Sequence, residues 1–195
     1  TETLKTSSSI AFVCASAQNI DRIVTLFRAC IQSGRKLLVD PYAAHLLCEM
    51  NRYNPRLPFP SPAFGKNLGV YYPRYLCRHM RLKLAAGEIL DEFDSQRVWP
   101  AEIRRHPGKY LLLVRNNTVA DLSREFGPIA DGALLLYSLW LGYWEMKSMA
   151  KLKNWVAKHN LSFFNCHTSG HATATDLRSL ADALGPRRII PIHTT

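Results

Sequence analysis

The sequence predicts an α/β fold: helices layered on a mostly parallel sheet. Three observations predict it. Short strand-like runs recur at 10–15, 36–39, 110–114, 133–137 and 162–165, with the length and apolar character of buried strands. Between them lie segments whose apolar residues return at helical spacing. Helix-start and helix-stop residues stand at the junctions, as at Asn19, Gly34 and Asp40-Pro41. Strands alternating with helices argue for a layered domain. A length of 195 residues fits one domain with a substantial core, and no internal repeat is visible.

Taken in order, Ile10 to Ala15 forms the first strand, and Ser16 to Asn19 breaks it. Ile20, Ile23, Val24, Phe27 and Ile31 then share one helical face, with Asn19 as cap and Gly34 as stop. Lys36 to Val39 completes a βαβ unit. Asn19 and Arg22 lie at the start of its helix, where they serve either as cap and solvated cation or as contacts to nucleic-acid phosphate. Asp40 ends a strand and precedes Pro41, so it reads as the cap of a helix over roughly Tyr42 to Met50 rather than as a catalytic carboxylate. Four prolines (55, 58, 60 and 62) make 51–67 irregular. A short strand is expected at Val70 to Tyr72, then helix through Phe93. Arg74, Arg78 and Arg81 share a face of that helix beside Tyr71, Tyr72 and Tyr75. Such a face either contacts RNA through phosphates and stacking or is simply solvated over packed tyrosines.

Tyr110 to Val114 is a continuous apolar strand after a Pro-Gly turn. Thr118 caps a helix expected to run to Phe126 and to end at Gly127-Pro128. Ala133 to Tyr137 is the next strand, with Ser138 at its carboxyl end. The aromatic stretch Leu139 to Trp144 contains no Gly-x-Ser-x-Gly elbow, so a serine hydrolase has little support. Glu145 to Lys158 reads as a helix whose stripe of Met146, Met149, Leu152, Trp155 and Val156 suits a core.

The net charge is +10, from 25 Lys and Arg against 15 Asp and Glu, which favours a polyanionic partner. No apolar run approaches about 18 residues, so no membrane span is expected, and Thr1 to Ser9 lacks a secretory pattern. Five scattered cysteines with no Cys-x-x-Cys pair suggest reduced thiols in the cytoplasm. No Gly-rich loop follows a strand, which disfavours an unrelated nucleotide-binding domain.

The most informative stretch is the tail. Asn165-Cys166-His167-Thr168-Ser169-Gly170-His171-Ala172 follows a strand at Ser162 to Asn165. An amphipathic helix from Thr173 to Leu184 comes next, then Gly185-Pro186 and a strand expected over Arg188 to Ile192, ending at His193. The two histidines, 22 residues apart, thus stand where strands end, the edge at which open α/β sheets bind ligands. A Ser-Gly-His turn at a helix start offers N–H groups, a hydroxyl and an imidazole to a phosphate.

His-Thr-Ser-Gly-His-Ala followed by Ile-Pro-Ile-His resembles the C-terminal signature of the β-CASP group of metallo-β-lactamase-fold nucleases, which includes ribonuclease J and the pre-mRNA 3′-end endonuclease. Cys14 to Arg22 resembles the segment after the group's first β-CASP strand, and Gly34 to Asp40 the strand that follows. The resemblance implies a β-CASP-like domain over 1–160 and a segment over 161–195 that returns toward a metallo-β-lactamase domain. It implies that His171 touches the scissile phosphate or protonates the leaving group and that His193 ligates zinc. Ser16, Asn19, Arg22, Ser138, Thr168, Ser169 and Gly170 would hold substrate phosphates. The family's His-x-His-x-Asp-His cluster has no counterpart among the histidines at 45, 79, 106, 159, 167, 171 and 193. One histidine does not hold a catalytic zinc, which takes about three protein ligands. The expectation is therefore the substrate-binding portion of a zinc-dependent ribonuclease acting on single-stranded RNA, competent only with a domain or partner chain that carries that cluster. The chain reads as a fragment, a split gene product or a subunit. The alternative is a non-catalytic RNA-binding or assembly module.

Overall fold

The computed structural model describes residues 1–83, 85–167 and 172–190. Six strands form one sheet: β1 (Ala11–Cys14), β2 (Lys36–Val39), β3 (Leu68–Val70), β4 (Tyr110–Val114), β5 (Leu134–Tyr137) and β6 (Ser162–Asn165). Their order is β3-β2-β4-β1-β5-β6, and every pairing is parallel. β1, β2, β4 and β5 are buried nearly throughout, as a sheet covered on both faces requires. β6 pairs with β5, so the sheet continues past residue 160.

The helices are α1 (Glu2–Thr6), α2 (Ile20–Ser33), α3 (Pro41–Tyr53), α4 (Arg74–Lys83), α5 (Gly87–Glu92), α6 (Pro100–Arg105), α7 (Val119–Ala130), α8 (Leu141–Trp144), α9 (Ala150–Lys158) and α10 (Ala174–Leu184). Alternation along the strands sends side chains to opposite faces. Phe12, Leu112 and Leu135 meet Ile103, Leu122, Phe126 and Trp155 of α6, α7 and α9. Val13, Leu111 and Leu134 meet Ile23, Leu26, Phe27 and Leu47 of α2 and α3. The buried Arg35 ties the N-terminal segment to the sheet by donating to the carbonyls of Leu4, Ser7, Ser9 and Tyr110.

The sequence places several boundaries as observed. Asn19 caps α2 by accepting from the Arg22 N–H at 2.9 Å, and Gly34 closes it in the left-handed region at φ +70°. Asp40 caps α3 by accepting from Ala43 N–H at 2.8 Å. Other boundaries differ. The helix expected through Phe93 is divided into α4 and α5, with Ala85 at φ +49° near the break. α7 runs through Gly127 and Pro128 to Ala130, because buried Phe126 and Ala130 hold its last turn against the sheet. The Thr118 hydroxyl closes a short 3-10 turn with Arg115 instead of capping α7. The helix expected from Glu145 begins at Ala150, after α8 and a 3-10 turn. Arg188 to Ile190 are not strand. An extended segment needs a partner for its backbone groups, and β6 is the last strand on that side among the described residues.

Candidate nucleic-acid interface

The chain leaves β1 for β2 through α2 on one face of the sheet. It reaches β5, on the other side of β1, from β4 through α7 on the opposite face. This reversal next to β1 opens a crevice at the carboxyl ends of the strands. Ser16, Arg22 and Ser138, singled out in the sequence, lie there.

Ser16 is exposed just beyond β1, and its Oγ accepts from the Gln18 N–H at 3.3 Å. Arg22, half-buried one turn into α2, donates from Nη1 to the Cys166 carbonyl at 3.5 Å. Ser138, beyond β5, is buried: its N–H donates to Cys14 O at 2.9 Å and its Oγ to Cys166 O at 3.5 Å. The ends of β1, β5 and β6 are thereby fastened together, and Cys166 lies between Arg22 and Ser138. His167 follows, its N–H held by the Asn165 carboxamide at 3.2 Å. Asn19 spends its carboxamide oxygen on the α2 cap, so its remaining capacity is the NH₂ group.

The arrangement also contains a residue that motif reading missed. Arg115 stands directly after β4, where the strand-end rule could have found it. One Nη lies 2.8 Å from the buried carboxylate of Asp40, and the guanidinium carbon sits 5.3 Å from the centre of the Tyr42 ring. Its Nε is buried and has no hydrogen-bond partner. Arg115 and Tyr42 line an open cleft of about 410 Å³ with Ser16, Gln18 and Leu76 of α4. Gln18 bridges to the Tyr42 hydroxyl at 3.3 Å. Burial pushes the Asp40 carboxyl up, against the opposing pull of the Arg115 guanidinium and the Ala43 N–H. Burial likewise pushes the Cys14 thiol up to about 12, with Arg115 acting the other way, so Cys14 is no nucleophile at neutral pH.

His171, Thr168, Ser169, Gly170 and His193 lie outside the described residues. Among the described residues no group of three His, Cys, Asp or Glu side chains is placed to hold a metal. Asp40, at the carboxyl end of β2, is already committed to Arg115 and the α3 cap. The described residues therefore do not fit a zinc site. Tyr71 is buried against Phe126 at 5.4 Å between ring centres, which agrees for this residue with the alternative of tyrosines packed beneath a solvated basic face. Among the described residues no helix is long and apolar enough to cross a membrane.

The tail emerges from this same edge. α10 has a capping box, Thr173 and Asp176 each accepting from the other's N–H. The Thr173 hydroxyl, donating to the Asp176 carboxylate at 2.6 Å, and then the Thr173 N–H hold this exposed carboxyl below its ordinary value. Nothing on α10 is buried, and Leu177, Leu180 and Leu184 form a stripe 56, 56 and 70% exposed.

Residues 158–195 match the family model described as the Zn-dependent metallo-hydrolase RNA specificity domain. The matched stretch takes in β6, α10 and both tail histidines. This part of the chain is thus similar to the region that confers RNA specificity on zinc-dependent metallo-hydrolases. No curated protein is similar enough to the whole chain to match it.

Proposed function

We propose that this chain is the substrate-clamping portion of a metal-dependent ribonuclease of the metallo-β-lactamase superfamily, β-CASP-like over 1–160 and turning back toward the catalytic domain over 161–195. The observation that carries the reading is a convergence. The segment similar to an RNA specificity domain leaves β6 at the edge where Ser16, Arg22, Ser138 and Arg115 meet. In this reading Ser16, Asn19, Arg22 and Ser138 line the path of a single-stranded RNA, and Thr168, Ser169 and Gly170 hold phosphate oxygens. His171 contacts the scissile phosphate or protonates the leaving oxygen. His193 is one zinc ligand, and a second domain or chain with a His-x-His-x-Asp-His cluster supplies the rest. The net charge of +10 suits a polyanion. Five unpaired cysteines suit a reducing compartment, and we assign the protein to the cytoplasm.

The uncovered apolar stripe of α10 also favours a second reading, an RNA-binding or assembly module without chemistry. The deciding experiment measures bound zinc, RNA affinity and cleavage for this chain and for a His171→Ala, His193→Ala variant, alone and with the candidate catalytic partner. The clamp reading expects salt-sensitive binding of single-stranded RNA by the chain alone, and partner-dependent cleavage that the double variant loses. Full cleavage by the reconstituted double variant would reduce the chain to an assembly module. Absence of RNA binding at low salt would exclude the clamp reading and leave only an assembly role.

A further inference from the structure

The basic helix face noted in the sequence is rearranged by the fold around a residue the sequence did not single out. Val70 bridges in parallel to Arg97, and the Val98 N–H donates to Val70 O at 2.8 Å. The segment 97–99 thus lies along the carboxyl end of β3. With strand-like alternation Val98 turns into the core while Arg97 and Trp99 turn outward together. The Arg97 guanidinium carbon is 3.6 Å from the centre of the Trp99 ring and 4.6 Å from that of Tyr72. Tyr72 is fixed from behind by donating its hydroxyl to Leu90 O at 2.8 Å, and Asp94 holds Arg97 at 3.3 Å. The result is a three-layer stack, Tyr72, Arg97, Trp99, whose outer indole is still 54% exposed.

This stack forms one wall of a cleft of about 290 Å³. Across it, the mostly buried Glu125 carboxylate holds Arg74 at 3.5 Å and Arg104 at 3.2 Å, and the Glu125 carbonyl accepts from Arg104 at 3.1 Å. Two guanidiniums share one carboxylate, so the cleft keeps an excess of positive charge. The α4 N-terminus is not the anion site, because Asp121 already accepts from the Tyr75 N–H at 2.9 Å.

We infer that this cleft is a second nucleotide subsite, in which an unpaired RNA base stacks on the open face of Trp99 and the adjoining phosphate is held by Arg74 and Arg104. The inference rests on the clamp reading and extends it. β3 lies three strand spacings from β1, about 14 Å, so one strand crossing the sheet edge engages both sites. An acidic peptide would use the arginines but leave the stacking platform idle.

The test is fluorescence anisotropy on the full chain, with a labelled oligouridylate too short to reach both sites and one long enough to do so. Trp99→Leu is expected to weaken the long oligomer roughly tenfold, the factor one base stack supplies, and to leave the short one unchanged. Trp99→Phe is expected to restore most of the loss. The Arg74→Ala, Arg104→Ala variant is expected to flatten the dependence of log affinity on log salt by about 0.7 per phosphate released. It carries the test if Trp99→Leu fails to melt like the parent. Unchanged affinity of both variants for the long oligomer overturns the subsite while leaving the clamp intact. Loss of the salt effect alone, with polyglutamate competing for the arginines, assigns the cleft to acidic peptides and overturns it too. A parent chain that binds neither oligomer removes the clamp reading and the subsite together.

Discussion

α2 and α10 were written with the same grammar and ended in opposite environments. Each has a side-chain cap at its start, an apolar stripe, and a left-handed glycine at its end, Gly34 at φ +70° and Gly185 at φ +53°. α2 buries Ile23, Leu26, Phe27 and Cys30 against the sheet; α10 buries nothing. An isolated helix of this length is marginal in water, so α10 is a helix in want of a surface. Local code makes a helix, but only a neighbour makes it part of a core. The centre of the sheet is the finished half of this molecule and the β6–α10 edge the unfinished one.

The sharpest way to break the finished half is to unpair its buried charge. Arg115→Met should cost about 3–5 kcal/mol at neutral pH, because the Asp40 carboxylate is left buried without its counter-ion. Urea denaturation would measure it. Burial already raises Asp40's pKa above its unfolded value, so the folded state favours the neutral acid. The charged form is therefore penalised most at high pH, and the penalty is relieved as pH falls through the raised pKa. The deficit of the variant should shrink on acidification; a deficit that does not change with pH would mean the loss comes from packing around Arg115 rather than from the unpaired carboxylate.

Next comes a matched pair of leucines. Leu112→Ala, in the fully buried β4, should cost about 2–5 kcal/mol. Leu180→Ala, on the open face of α10, should stay within about 0.5 kcal/mol in the chain alone and weaken association with the proposed catalytic partner instead. Equal thermal shifts for the two would end the contrast between the halves. The smallest effect separates structure from recognition at Asn19. Asn19→Ala should lose about 1 kcal/mol through the α2 cap, and Asn19→Ser should regain most of it. If the serine variant is stable yet binds RNA more weakly, the carboxamide also touches the ligand.

Much of the fold was legible because its signals are local. The strands at Lys36 to Val39, Tyr110 to Val114 and Ser162 to Asn165 follow from short runs bounded by turn residues. Gly127-Pro128 misled for the opposite reason: the packing of Phe126 and Ala130 overrode a local breaker. Of the strand expected at Arg188 to Ile192, Arg188 to Ile190 carry strand-like residues but are not strand, because no backbone ladder holds them, and Pro191 and Ile192 lie outside the described residues. In the interface, Arg22 and Ser138 were found by motif, yet their meeting at the Cys166 carbonyl brings together residues well over a hundred positions apart in the chain.

The sequence by itself determined the alternating α/β plan, the caps at Asn19 and Asp40, and the basic character, since each depends on neighbours along the chain or on composition alone. Tertiary structure alone decided that Arg115 neutralises Asp40, that Tyr71 is core while Trp99 is surface, and that the α10 stripe stays uncovered. Those outcomes depend on which strands become adjacent and which faces find a partner, and a distance through space is not written into spacing along a chain.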